Sequence, residues 1–395
     1  MLKNYVTFED TKIAFAHLST NELRKIFLIY SIIQHPLLIS LGTKLTLLAI
    51  KYKLPVLFFI KHASFKLFCG GETIEEALQM SRALQKKNVY TCLNYSVEGQ
   101  DQSHHYSAIF QEILHMIQHQ ATNTPNKHYC FSAVKVSGLI QGDTLRKLQD
   151  GWILSKQEKQ DVNSLLKNLE NLCDTALKCK AKIMIDAEES WIQDAIDQLA
   201  IRLMKKYNTH SAVVYTTIQL YRKDKLEYLK TLHKQAQKEQ YHLGIKLVRG
   251  AYLGQERSWA KNNKQPCFVF ETKEQTDQTF DEALMFCFNN LERISLFVGS
   301  HNEESMKRFA SLYEDIKESK HRNKAISSQL LGMSDHITFN LAKNKIPVCK
   351  YVPYGPIKQA VPYLIRRAQE NTDILSNSNK QLKLVKKELS RRLRN

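Results

Sequence analysis

Between residues 88 and 352 one pattern recurs, and it restricts the chain to few folds: a short apolar, β-prone run, then a long polar stretch whose apolar residues fall at helical spacing. The runs are Tyr90 to Tyr95, Phe131 to Val136, Ile183 to Asp186, Val213 to Ile218, Ile245 to Val248, Ile294 to Val298, His336 to Phe339 and Val348 to Val352. Val162 to Cys179, Trp191 to Tyr207, Lys225 to Gln240 and Thr276 to Leu291 are helical stretches between them. Strand and helix in alternation predict a parallel sheet. Eight such units predict an α/β protein built as a (β/α)8 barrel. The seventh run is the weakest on pattern alone.

Outside this repeat lie two helical additions, and we divide the chain into an arm over 1–84, a barrel over 85–375 and a tail over 376–395. A chain of 395 residues with 43% hydrophobic and 24% charged residues is an ordinary globular composition, and no Gly/Ser-rich or Pro-rich linker interrupts it. The arm is unusually apolar from Ile26 to Ile33, Leu37 to Ile50 and Leu54 to Ile60, but Pro36, Lys44, Lys51 and Lys53 break it. A spanning helix needs about 20 continuous apolar residues, so the expectation is an amphipathic arm packed on the barrel. In the tail Leu382, Val385, Leu389 and Leu393 share one helical face amid lysines and arginines, a basic amphipathic helix of the kind that lies on anionic membranes.

The formal net charge of +18 is spread along the whole chain without a nucleic-acid module, so no nucleic-acid partner is expected. Eight cysteines without Cys-x-x-Cys or Cys/His metal spacing fit a reduced compartment and no metal site. The first thirty residues lack the order of a signal peptide, and Glu9, Asp10 and Glu22 are wrong for a transit peptide. A bacterial cytoplasmic protein is expected, with peripheral contact at the inner face of the cell membrane through the tail.

Polar residues sit where such a barrel would use them. Glu98, Lys135, Asp186, Gln219, Arg249, His301 and Tyr351 all fall at or just beyond the carboxyl end of an expected strand. Those ends form the catalytic face of a (β/α)8 barrel. After the last strand, Pro362 opens a helix on which Tyr363, Arg366, Arg367 and Glu370 share one side. Two adjacent guanidinium groups make a planar fork suited to a carboxylate. Neither Gly-x-Gly-x-x-Gly nor a P-loop appears, so the patterns alone reveal no cofactor.

The arginine-bearing helix, together with Lys135-Val136-Ser137-Gly138-Leu139, Ile185-Asp186-Ala187-Glu188, the run ending at Gln219, Lys246-Leu247-Val248-Arg249-Gly250-Ala251-Tyr252, Ser300-His301-Asn302-Glu303-Glu304 and Gln329-Leu330-Leu331-Gly332-Met333, resembles the proline dehydrogenase family in order and content. The resemblance covers roughly residues 85 to 375. It implies a distorted TIM-type barrel holding FAD without covalent attachment, with Asp186, Gln219, Lys246, Val248, Arg249, Gly250, Ala251, Ser300, His301 and Glu370 in the flavin shell. Gly250 makes sense there as a point of close backbone approach.

The implied reaction is oxidation of L-proline to Δ1-pyrroline-5-carboxylate, with hydride passing from C5 to flavin N5, the ring nitrogen giving up its proton, and electrons leaving to a quinone. Arg366 and Arg367 would grip the carboxylate with Lys135, Tyr351 and Tyr363 would wall the ring, and Leu330 would pack against it. Asp186 would orient Lys135 or the flavin edge, Glu370 would steady the arginines, and Glu98 would form a gating ion pair with one of them. The chain has no room for the fused aldehyde dehydrogenase of the family's bifunctional members, so the product implies a separate pyrroline-5-carboxylate dehydrogenase. Lys246 stands where the bifunctional branch has arginine, matching the branch of the mitochondrial enzymes, and Ser300 replaces a commoner threonine. The alternatives are a hydroxyproline dehydrogenase, against which Tyr351 argues by crowding a 4-hydroxyl, and a non-catalytic basic barrel that binds membrane or nucleic acid.

Overall fold

The computed structural model describes residues 6–33, 35, 42, 65–96, 104–360 and 375–394. Eight strands, β1 (Tyr90–Tyr95), β2 (Phe131–Val134), β3 (Lys182–Ile185), β4 (Val214–Gln219), β5 (Leu243–Val248), β6 (Ile294–Gly299), β7 (Ala325–Leu330) and β8 (Val348–Tyr354), close into a barrel in chain order. The expected barrel is therefore present, with one strand misplaced. His336 to Phe339 lies inside a helix, Asp335–Lys343, and the seventh strand is Ala325–Leu330. Its Ser327, Ser328 and Gln329 are all buried, which disguised it. The Gln329 carboxamide oxygen accepts from Thr338 Oγ1 at 2.8 Å, so distant side chains satisfy the polar groups that made the segment read as a loop.

By contacts the chain forms two compact units, residues 92–300 with 312–327, and residues 1–91 with 301–311 and 328–395. In the first, β2 to β6 pair in parallel, with Ala133, Met184, Tyr215, Gly244 and Ser295 in one register layer. Phe131 of β2 meets the ring of Tyr215 on β4 at 5.5 Å and that of Phe297 on β6 at 5.0 Å, both edge-on. Rings from three non-adjacent strands meet only inside a barrel, which fixes the inward parity of each strand. Gly244 is part of this floor: a Cβ there would stand 2.6 Å from the Tyr215 ring and 2.4 Å from the Val214 carbonyl oxygen. The helices outside are well delimited. Lys156–Cys179 starts on a Ser155/Glu158 capping box and ends on left-handed Lys180, and Lys273–Asn289 starts on a Thr272/Gln275 box.

In the second unit, helices α1 (Thr11–Ala14), α2 (Thr20–Ile33), α3 (Asp335–Lys343) and α4 (Leu375–Arg394) surround a small core. Ala14, Phe15, Leu23, Ile26 and Tyr30 pack against Leu384 and Val385, with Leu382 and Leu389 partly buried beside them. The tail helix thus spends its apolar face on the amino-terminal helices, and of the four residues expected on a membrane-facing stripe only Leu393 is largely exposed. Its Glu388 is buried and receives Arg391, Arg392 and the Thr11 hydroxyl, while Arg392 also donates to the carbonyls of Phe15 and Leu18. Among the described residues no helix is long and apolar enough to cross a membrane.

Candidate active site

Period-two alternation from the Phe131–Tyr215–Phe297 floor carries the inward face up to Lys135, Asp186 and Gln219, at or just past the ends of β2, β3 and β4, and to Lys246 within β5, short of its end. All four are residues expected at the site. Lys246 Nζ donates to Asp186 Oδ1 at 2.6 Å, and both side chains are about nine-tenths buried. Asp186 thus has a lysine partner, Lys246, that the sequence reading did not pair with it.

Lys135 begins a single 3-10 turn, Val136–Gly138, and a residue the sequence reading quoted but gave no role holds that turn in place. Glu188 accepts from the backbone N–H of Ser137 at 3.0 Å and from the Ser137 hydroxyl. Burial pushes the Glu188 carboxyl up, while the Ser137 bonds and the nearby charge of Lys135 pull it down. Its backbone is tied too: Gln193 Oε1 takes its N–H at 2.6 Å, and its carbonyl accepts from Gln219 Nε2 at 2.9 Å. Because that carbonyl can only accept, the Gln219 amide is oriented without ambiguity, and its buried Oε1 has no donor among the described residues. Asn94 on β1, overlooked in the sequence, has both carboxamide atoms buried and unsatisfied among the described residues.

One residue past β5, the same alternation points the next side chain outward. Arg249 turns toward the helical layer, donating to Asp277 at 2.6 Å and to Ser300 Oγ at 2.8 Å, with Phe280 under its guanidinium carbon at 4.2 Å. Burial lowers the Arg249 pKa, and Asp277 opposes that. Gly250 has φ +136°, and a Cβ would collide with the Tyr221 ring at 2.5 Å, so in this structure the close approach is made by the protein's own tyrosine. Val248 ends β5, with Ala251 just beyond Gly250.

The second unit holds His301, Leu330 and Tyr351. His301 Nδ1 is 2.9 Å from Ser334 Oγ, and Leu330 ends β7. Tyr351 sits in the middle of β8 and is buried, and that strand runs on to Tyr354, past the expected end at Val352. Behind it Lys350 Nζ donates to the Met333 carbonyl at 2.6 Å, to Leu330 at 3.3 Å and to Asp335 at 2.7 Å. Glu98, Tyr363, Arg366, Arg367 and Glu370 lie outside the described residues. All eight cysteines are free thiols, six of them buried.

A closed parallel (β/α)8 barrel with a polar inward quartet toward its strand ends defines the architecture of a barrel enzyme. A model of the family described as "Proline dehydrogenase" matches residues 77–380, and the chain belongs to that family of oxidoreductases. The chain is 32% identical over 329 residues to the carbapenem antibiotics biosynthesis protein CarD of Pectobacterium carotovorum subsp. carotovorum, covering 83% of this chain and 84% of that one. It is 30% identical to the mitochondrial proline dehydrogenase 1 of Dictyostelium discoideum, covering 97% and 75%. Among solved structures, proline utilization A from Bdellovibrio bacteriovorus superimposes with a TM-score of 0.71 at 18% identity over 92% of this chain. The chain spans only 36% of that protein's length, and the likeness carries the fold.

Proposed function

We propose that the chain is a proline dehydrogenase that oxidises L-proline to Δ1-pyrroline-5-carboxylate using FAD and passes the electrons to a quinone. The observation that carries this reading is the inward quartet Lys135, Asp186, Gln219 and Lys246, which lies within the stretch the family matches. The groups present fit a flavin: among the described residues the buried Gln219 oxygen has no donor, and Arg249 with Ser300 and, separately, His301 add hydrogen-bonding capacity suited to its polar edge. Val248, Gly250, Ala251 and Glu370 complete the proposed shell. When bound, FAD supplies the two-electron acceptor that such an oxidation requires.

The protein's own task is then to fix the substrate. Lys135, Arg366 and Arg367 hold the carboxylate through charge-assisted bonds, and Tyr351, Tyr363 and Leu330 enclose the apolar ring. Asp186 holds the Lys246 ammonium, and Glu188 holds the turn that carries Lys135. The exposed Lys383, Lys386, Lys387 and Arg394 offer a basic face for anionic headgroups near a lipid-soluble quinone, consistent with a cytoplasmic protein that touches the membrane. The unstable cyclic imine passes to a separate dehydrogenase.

Purified protein should show a flavin spectrum that bleaches anaerobically with L-proline and not with hydroxyproline. Bleaching by hydroxyproline alone transfers the assignment to that substrate. Colourless protein that takes up no added FAD overturns the reading.

A further inference from the structure

Ser334 is held in an unusual way. It is the N-cap of α3 with φ 53° and ψ 42°, a left-handed conformation that non-glycine residues adopt rarely. An N-cap serine normally turns its hydroxyl back onto the helix, but here no side-chain capping bond forms. The hydroxyl instead meets His301 Nδ1 at 2.9 Å, and the backbone N–H donates to Gln381 Oε1 at 2.9 Å. Gln381 and Ser334 are both buried, and Gln381 belongs to the tail helix α4. The preceding residue, Lys380, forms a second tie: its Nζ is 2.6 Å from Glu303 Oε2, whose other oxygen is 2.9 Å from His336 Nε2. Two consecutive residues of the terminal helix therefore grip the segments that follow β6 and β7.

We propose that Gln381 is a positioning residue: by holding the strained Ser334 backbone, it fixes the ring orientation of His301. The Ser334 hydroxyl can donate to Nδ1 or accept from it, so the contact sets where the ring points whichever nitrogen carries the proton. The consequence for flavin binding rests on the reading of His301 as a flavin-shell residue; the relay itself does not. It gives the tail helix a role at His301 that its basic, amphipathic sequence does not suggest.

The test uses the full chain, 15N-labelled, with the His301 ring signals assigned by their loss in His301→Gln. Gln381→Leu should shift those signals and weaken FAD binding by about fivefold to tenfold, the order of one lost hydrogen bond. Gln381→Glu, which keeps an acceptor oxygen for the Ser334 N–H, should restore both. In a Ser334→Ala background Gln381→Leu should change FAD affinity by less than about twofold, since the relay is already cut. Unmoved His301 signals in Gln381→Leu, or two effects that multiply in full, overturn the proposal. Should Gln381→Leu fail to fold, Ser334→Ala, which leaves the backbone bond intact, decides in its place: unmoved His301 signals there are equally fatal. Wild-type protein that takes up no FAD defeats the functional reading, while the ring signals still decide the relay.

Discussion

Lys246 on β5 and Lys350 on β8 are both buried against an aspartate at nearly the same distance, 2.6 and 2.7 Å, yet they serve different ends. Lys246 shares the inward parity of the barrel floor, and its partner Asp186 stands at the end of β3. Lys350 lies on the helical side. Its ammonium meets two backbone carbonyls and Asp335, which also lies 3.4 Å from His17 Nε2. Burial pushes the Lys350 pKa down, and burial at Asp335 is outweighed by Lys350 and His17, which hold that carboxyl well below its usual range. An ion pair turned toward the barrel mouth can serve a ligand. One closed off by carbonyls serves to tie α3 and the segment after α1 to the last strand.

The sharpest way to break this contrast is to remove each lysine. Lys350→Met should cost about 3–5 kcal/mol in chemical denaturation, because it strands a buried carboxylate. Lys246→Met should lower proline turnover by about a hundredfold, on the scale of one lost electrostatic group in an active site, with the smaller loss of stability. Equal destabilisation by the two would erase the distinction. Next in size, Arg366→Met or Arg367→Met should raise the proline KM about tenfold to a hundredfold, the equivalent of one charge-assisted bond, while the denaturation midpoint stays put. A near-normal KM would remove the arginines from the carboxylate grip.

Acid distinguishes the helical region in a graded way. Despite burial, Glu303 is lowered to about 2 by His336 and Lys380, and Glu388 to about 2 by Arg391, Arg392 and Thr11. A carboxylate depressed in the folded state contributes its stability above the unfolded value near 4.3 and loses it as pH falls toward about 2. Melting temperature should therefore drop between about pH 5 and pH 2, and Glu388→Gln should flatten that slope. The smallest effect concerns the tail surface. Reversing Lys383, Lys386 and Lys387 to glutamate should reduce pelleting with anionic liposomes by a few fold at low salt and leave folding intact. A chain ending at Asn379 is the poorer test, since it would uncover Ala14, Phe15 and Leu23.

Much of the site was legible because its residues stand in fixed phase to strands whose apolar runs are obvious. Asp186 and Gln219 could be placed by counting along β3 and β4, whereas Lys246 entered through the family resemblance. Glu188 and Ser334 were missed for the opposite reason. Glu188 acts on Ser137 at 3.0 Å and Ser334 on His301 at 2.9 Å, and nothing local in either sequence announces a partner more than thirty positions away. The error at the seventh strand has the same origin. Ala325–Leu330 reads as polar until Thr338 is seen bonded to Gln329, whereas His336 to Phe339 is apolar enough to pass for a strand but packs as a helix.

By itself the sequence determined the number of strand and helix units, the direction in which most side chains near the mouth point, and the family. Those depend on periods of 2 and 3.6 residues, which are local properties of a chain. Only the tertiary structure decided that the tail helix lies on α1 and α2, that Lys350 is a tie while Lys246 is not, and which serine orients His301. An apolar face or a buried charge has no preferred partner until folding brings distant groups within hydrogen-bonding range, and then desolvation makes all but the satisfied arrangements too costly.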